Sequence, residues 1–112
     1  MNLENMLGIE QLKKRQDEFK RVFFFRICGT GMGACASLLK ESGIIVEGGD
    51  IAFYPPMSNY LKDQQIPLHD LNGVDEVFLK QYDLVVVGNA IPRESDHAKL
   101  IERSQVPFCS FP

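Results

Sequence analysis

The stretch that decides the fold is VFFFRICGTGMGA, residues 22–34. Its first part, Val22 to Ile27, is apolar and β-favouring apart from one arginine, which is typical of a parallel strand buried on both faces. Three alternating glycines follow at once: Gly29, Gly31 and Gly33. The next segment, Ala34 to Ser42, has a helical pattern, and Gly43 suits its C-terminal end. The stretch therefore predicts a strand, a tight turn and a helix.

Short apolar runs and helix-like segments continue to alternate after this stretch. The predicted strands cover residues 44–47, 66–68, 83–87 and 106–109. The predicted helical segments are 58–65 with Ser58 as N-cap, a short helix or turn over 74–80, and 95–103 with Ser95 as N-cap. Because parallel strands need helical crossovers, this order predicts a three-layer α/β, Rossmann-like domain with a mostly parallel sheet over residues 22–112.

Residues 1–21 differ from the rest because they are polar and rich in charge. An irregular apolar stripe of Leu3, Leu7 and Phe19 predicts an extra N-terminal helix from Leu3 to Lys20. Two interpretations stay open. The segment is either a solvated or partly disordered arm, or a helix that docks on a partner or on a second copy in a homodimer.

Length and composition exclude several classes of protein. The 112 residues, 45% of them hydrophobic, suffice for one compact domain with a core. A net charge of −3 gives no broad surface for nucleic acid. No apolar run approaches the roughly 20 residues of a membrane span, so neither nucleic acid nor a membrane is expected as a partner. Three cysteines without a C-x-x-C pair are typical of reduced thiols, which predicts a cytoplasmic protein.

The glycine-rich turn predicts a nucleotide site. Glycines between a strand and a helix let the backbone approach a diphosphate closely, and the helix N-terminus adds free N–H groups and a favourable dipole. An acid about 20 residues further on often binds a ribose hydroxyl, and Asp50 stands there. The spacing G-x-G-x-G does not choose between a dinucleotide such as NAD(P) and a nucleotide sugar. A purely structural turn is the alternative.

The sequence predicts neither catalytic residues nor a metal site. It contains no G-x-x-x-x-G-K-[ST] phosphate loop and no evident Ser/His/Asp or Cys/His constellation. A zinc site needs about four well-spaced ligands, and only His69 and His97 stand beside the cysteines.

Several segments together resemble the N-terminal domain of the Mur ligase family. They are Ile27–Gly33, Gly49-Asp50, Tyr54–Ser58, Gly88–Arg93 and Val106–Phe108. The Tyr-Pro-Pro-Met-Ser run resembles in particular the branch of the family that recycles cell-wall peptides. The likeness implies binding of the UDP part of UDP-N-acetylmuramic acid. It also implies that the whole enzymes join a peptide to this sugar, forming a carbon–nitrogen bond through an acyl-phosphate with ATP and Mg²⁺.

The resemblance implies which residues line the site. They are Gly29, Thr30, Gly31, Met32, Gly33, Asp50, Tyr54, Ser58, Asn89 and Ala90. The glycine-rich turn would face the diphosphate, Asp50 and the loop from Tyr54 to Ser58 would lie near the uridine, and Asn89 with Ala90 would line the same crevice. Arg26 stands where the family usually has glycine. Its side chain would contact the diphosphate, fill the space that the ligand needs, or lie aside.

The family's central domain, which carries the ATP phosphate loop, and its C-terminal domain have no counterpart in this sequence. We therefore expect a fragment or a stand-alone domain that holds no cofactor and is inactive alone. Two other functions stay open: an NAD(P)-type dinucleotide-binding domain, and a nucleotide-free interaction module that uses the N-terminal arm.

Overall fold

The computed structural model describes residues 6–29, 31–88, 91–92 and 94–110. The strands are β1 (Arg21–Phe25), β2 (Ile45–Asp50), β3 (Leu68–Asp70), β4 (Leu84–Val87) and β5 (Phe108–Ser110). The helices are α1 (Ile9–Lys14), α2 (Met32–Glu41), α3 (Met57–Asp63), α4 (Glu76–Leu79) and α5 (Asp96–Ser104). Short 3₁₀ turns cover Gln16–Glu18 and Leu71–Gly73.

The strands form one sheet in the order β3-β2-β1-β4-β5, and every pair is parallel. This confirms the predicted Rossmann-like α/β fold. The chain builds outward from β1 to β3 and then returns to the other side of β1 to place β4. The strand order therefore reverses between β1 and β4, and ligands of such sheets bind at the carboxyl ends of the strands beside this point.

The core lies on both faces of β1, whose central side chains alternate between them. Phe24 packs on one face with Met32 and Leu61. Phe23 and Phe25 pack on the other face in a second cluster, from which the helices α4 and α5 exclude water. All three phenylalanines are fully buried, and each buried ring contributes roughly 2 to 3 kcal/mol.

Strand β2 is longer than predicted, because it continues through two glycines to Asp50 instead of ending at Glu47. Gly48 and Gly49 pair with both β1 and β3. A Cβ atom on Gly48 would lie 2.3 Å from Cδ1 of Ile27. Glycine is needed there because a large side chain lies against the strand, and the pair of glycines does not mark a turn.

Three predicted helix starts have different outcomes. Helix α2 begins at Met32, earlier than Ala34, because Gly31 adopts a left-handed φ of 79° and acts as the N-cap. The expectation that Ser58 caps the third helix was wrong, since α3 begins at Met57 and Ser58 lies buried inside its first turn. The prediction for Ser95 is confirmed, because its Oγ accepts the N–H of Ala98 at 3.2 Å.

The N-terminal arm is less helical than predicted. Within the described part, the single helix expected over residues 3–20 is reduced to the six residues of α1 and one 3₁₀ turn. Met6 pairs in parallel with Phe108, and the Leu7 N–H donates to the Phe108 carbonyl at 2.7 Å. Phe19 is buried in the core. The arm thus packs along the β5 edge of its own sheet. No helix among the described residues is long and apolar enough to cross a membrane.

Candidate functional site

The candidate site begins where β1 ends, beside the reversal of strand order. The backbone N–H groups of Arg26 and Ile27 both donate to the Gly49 carbonyl, at 2.9 and 3.0 Å. On the other side, the Gly88 N–H donates to the Phe25 carbonyl at 3.1 Å. These bonds join the ends of β2, β1 and β4 around the start of the glycine-rich turn. The turn therefore lies at the crevice where parallel sheets bind ligands.

The glycine-rich turn presents backbone to solvent. Gly29 and Gly31 are exposed, and none of the described side chains caps the N-terminus of α2. The Met32 N–H donates to the Gly29 carbonyl at 3.1 Å, which closes the turn. The first N–H groups of an α-helix have no partner within the helix, and its dipole is positive at this end. The turn can therefore accommodate an anion at its surface.

Gly33 connects the turn to the segment 54–58. A Cβ atom on Gly33 would lie 2.9 Å from Sδ of Met57, so the helices α2 and α3 approach closely here. Tyr54 is 73% exposed, and its carbonyl accepts the Ser58 N–H at 3.1 Å. The structure thus brings the predicted residues of the turn and of the loop to one side of the molecule.

The remaining predicted residues have different positions. The Met32 side chain lies in the core, 1% exposed, so only its backbone can face a ligand. Thr30, Asn89 and Ala90 lie outside the described residues. Their predicted contacts stay predictions.

Asp50 holds the turn against the end of β2. Its side chain is buried, Oδ2 accepts the Cys28 N–H at 3.0 Å, and Oδ1 accepts the Ile51 N–H at 2.8 Å. Burial, together with the Asp50 charge, raises the pKa of the Cys28 thiol to about 11, so the thiol stays neutral. A ribose contact by Asp50 is still a prediction, and the contacts observed here are internal to the turn.

Arg26 lies beside Asp50 in an unusual backbone conformation. Its φ is 70°, in the left-handed region that favours glycine. Nε lies 2.9 Å from Oδ1 of Asp50 but makes no hydrogen bond, since the N–H is not directed at that oxygen. The contact is therefore an attraction of opposite charges without a directed bond. The Arg26 Cβ lies 3.4 Å from the position that a Cβ on Gly88 would take, so the residue stands between the ends of β4 and β2.

A second polar cluster, which sequence reasoning missed, surrounds Glu47. Oε1 contacts Nε2 of His69 at 2.7 Å and the Tyr82 hydroxyl at 3.1 Å, and Oε2 contacts Nη2 of Arg21 at 3.3 Å. Burial alone would raise the pKa of Glu47, but these hydrogen bonds outweigh it and hold the pKa below its ordinary value. The partners come from separate segments, and the one sequence signal was a glutamate inside an apolar strand. His69, one residue beyond the strand predicted over 66–68, lies in β3.

A groove of about 510 Å³ lies between α4 and α5. Asp75, Glu76, Asp96 and Arg103 are among its lining residues, and none of the predicted site residues is. No group of three or more metal-ligating side chains occurs in the part of the chain that the structure describes.

Comparison with known proteins gives consistent results. Residues 21–111 match the Mur ligase family, catalytic domain. The UDP-N-acetylmuramate--L-alanyl-gamma-D-glutamyl-meso-2,6-diaminoheptandioate ligase of Escherichia coli (strain K12) is 39% identical over 93 residues, which is 82% of this chain and 20% of that protein. The UDP-N-acetylmuramate--L-alanine ligase of Lactobacillus acidophilus is 30% identical, over 86% of this chain and 22% of that protein.

A solved structure agrees with these relatives. The crystal structure of UDP-N-acetylmuramate:L-alanyl-gamma-D-glutamyl-meso-diaminopimelate ligase from Neisseria meningitides superposes with a TM-score of 0.69 at 34% identity. The match covers 82% of this chain and 28% of that chain. The chain spans about a fifth of the length of the curated relatives it matches.

Proposed function

Because the chain belongs to the Mur ligase family, we propose that residues 22–112 bind the UDP part of UDP-N-acetylmuramic acid, as the N-terminal domain of a peptide-recycling ligase. The observation that supports this proposal most directly is the exposed glycine-rich turn at the reversal of strand order, followed by a helix N-terminus that no described side chain caps. That position and that chemistry suit a diphosphate.

The described residues divide the proposed site into two parts. The exposed Gly31 offers a backbone N–H group to the diphosphate, whereas the Gly29 N–H is already bonded to the Arg26 carbonyl. Asp50 keeps the turn in place through its bond to the Cys28 N–H. The exposed ring of Tyr54 lies on the side where the uridine is expected. Since Gly33 packs against Met57 of α3, the two parts are adjacent in the fold.

In this proposal the chain contributes binding and orientation, not bond making. The sequence contains no phosphate loop for ATP, so the ATP- and Mg²⁺-dependent step belongs to domains that the longer relatives have. Holding the remote UDP group fixes the sugar relative to a reacting centre elsewhere. Binding energy from a distant part of a substrate then supports reaction at that centre.

Calorimetric titration and thermal melting of the purified chain test the proposal. The ligands are UDP-N-acetylmuramic acid, UDP, uridine, NAD and ATP. We expect the two UDP compounds to bind and to raise Tm, because a ligand at about 100 times its Kd stabilises a protein by roughly 2.7 kcal/mol. Stabilisation by NAD but not by UDP would contradict the proposal and favour a dinucleotide site.

Two glycine variants form a matched pair that locates the site. Gly31→Ala places a methyl group at a φ of 79° in the turn, and Gly43→Ala does so at a φ of 95° at the other end of α2, in open space. Both should lose about 1 kcal/mol of stability through backbone strain. Only the Gly31 variant should also lose affinity for UDP. Equal affinities in the two variants would place the ligand away from the turn.

A further inference from the structure

We propose that Arg26 binds the diphosphate of the ligand, and that its guanidinium supplies the positive charge that the glycine-rich turn lacks. This inference rests on the proposed function and makes it more specific. The sequence left three outcomes open for the Arg26 side chain: it contacts the diphosphate, it fills the space that the ligand needs, or it lies aside. We infer the first of these, contact with the diphosphate.

The position of Arg26 is the first support. It is the residue directly after the central strand, between the end of β2 and the end of β4. Its Cβ lies near Gly88, and its Nε reaches Oδ1 of Asp50. The side chain therefore lies between the ends of β2 and β4, beside the crevice in which the proposed ligand binds.

The charges around the turn are the second support. Asp50 places a buried carboxylate at the base of the turn. Alone, that negative charge would repel a diphosphate. Arg26 stands 2.9 Å from the carboxylate and offsets its charge. A guanidinium also carries donors in a planar fork that matches phosphate oxygens.

The free donors of Arg26 are the third support. The guanidinium makes no hydrogen bond to any residue that the structure describes, and Nε is buried without one. The side chain is nevertheless 30% exposed, so its outer nitrogen atoms reach solvent at the crevice. Asp50 thus positions the guanidinium by charge and leaves its donors available to a ligand.

The backbone conformation is the fourth support. The Arg26 carbonyl accepts the Gly29 N–H at 3.1 Å, and this turn requires the left-handed φ of 70°. Glycine would adopt that conformation without strain. The chain carries an arginine at a strained position beside a candidate site, which is where strained residues with a function concentrate.

Three variants of the full chain test the inference by titration with UDP and with uridine. Arg26→Gly removes the side chain and the strain, and Arg26→Gln removes the charge but keeps both bulk and φ. Gln105→Gly is the matched control, because Gln105 has a φ of 61° at the C-terminus of α5, far along the chain from the turn. Both Arg26 variants should bind UDP about tenfold more weakly or worse, because hydrogen bonds from a charged group are lost. Their affinity for uridine, which has no phosphate, should stay unchanged.

Thermal melting separates binding from folding. Gln105→Gly should raise Tm slightly, because it relieves a left-handed backbone. Arg26→Gly gains the same relief but leaves the buried Asp50 carboxylate without its opposite charge, so its Tm should be lower than that of the control. At a temperature well below the Tm of both variants, only the Arg26 variant should lose UDP affinity, so the weaker binding is not a loss of folding. Unchanged or tighter UDP binding by Arg26→Gly would overturn the inference and leave the proposed function in place. If neither the unchanged chain nor this variant bound UDP, both proposals would fall.

Discussion

Two arginine–carboxylate pairs connect the first strand region to β2 in the described structure, and in both the arginine Nε is buried without a hydrogen bond. What differs is the set of groups around each pair. Arg21, at the start of β1, pairs with Glu47 at 3.3 Å. Arg26, just past the end of β1, pairs with Asp50 at 2.9 Å. Only two residues separate the carboxylates along β2.

The two pairs have different neighbours. Around Glu47 the space is filled by side chains, since the ring centroids of His69 and Tyr82 lie 4.9 and 5.6 Å from that of Phe78. Around Asp50 the neighbours are main-chain N–H groups and the glycine-rich turn. We call the first pair the closed pair, because side chains surround it, and the second the open pair, because main-chain groups of the proposed site surround it. Exposure does not separate them, since the side chains are 37% and 16% exposed in the first pair and 30% and 5% in the second. Two ion pairs of similar exposure can therefore differ in the groups that stand beside them, and only the open pair lies beside the glycine-rich turn.

The largest expected effect comes from breaking the open pair. Asp50→Ala leaves the Cys28 and Ile51 N–H groups and the Arg26 guanidinium without their partner, so we expect a loss of about 2 to 3 kcal/mol in the free energy of unfolding. Urea unfolding measures it. Asp83→Ala is the control, because Asp83 also accepts two backbone N–H groups, at 2.9 Å each, but is exposed. The Asp83→Ala variant should lose about 1 kcal/mol in the free energy of unfolding. Equal losses in the two variants would mean that Asp50 stabilises the fold no more than an exposed carboxylate does.

The next effect comes from breaking the closed pair. Glu47→Gln removes the charge that faces Arg21 and His69 but keeps an oxygen for the Tyr82 hydroxyl. The free energy of unfolding should fall by about 1 to 2 kcal/mol. Affinity for UDP, measured by titration on the folded variant, should not change. A large change in affinity would mean that the Glu47 cluster belongs to the binding site.

The stability that Glu47 contributes through the closed pair should fall as the pH is lowered. The pKa of Glu47 is lowered from 4.5 in the folded chain, because hydrogen bonds to the carboxylate outweigh its burial. Its contribution to stability is therefore complete above pH 4.5 and is lost as the pH falls through the lowered value. Urea unfolding between pH 6 and 3 should show a steeper loss for the unchanged chain than for Glu47→Gln. Parallel curves would contradict this assignment.

The smallest loss of stability should come from removing one hydrogen bond to the closed pair. Tyr82→Phe removes the hydroxyl that bonds Glu47 at 3.1 Å and keeps the ring in its aromatic cluster. We expect a loss of about 0.5 to 1 kcal/mol, the usual net value of one hydrogen bond. The same change in the Glu47→Gln background should cost less if the two groups are coupled. Additive losses in the double variant would show that they act independently.

Local sequence patterns predicted those helices and strands whose formation depends on residues adjacent in the sequence. The apolar run of β1 and the serine before α5 were sufficient, because burial on two faces and N-capping leave direct signals. The length of β2 was not predictable, since the need for Gly48 arises from Ile27 on the adjacent segment. A glycine pair looks the same in a turn and in a crowded strand.

The candidate site was predictable in part for the same reason. The turn and the loop around Tyr54 could be proposed from motifs, and the structure brings them to one side of the molecule. The contacts of Asp50 with the Cys28 N–H and with Arg26 join residues that are more than twenty positions apart. Only the pairing of β1 with β2 brings them together.

The pairing of the N-terminal arm with Phe108 has a consequence for the order of folding. Leu7 is synthesised before every strand of the sheet, but the carbonyl to which its N–H donates belongs to the last of these strands. Contacts between such distant residues carry a high entropy of loop closure and form late. Strands β1, β2 and β3 can pair while the chain is still emerging from the ribosome, but the arm has to wait until β5 has been synthesised. Docking of the arm is then the step that completes the domain.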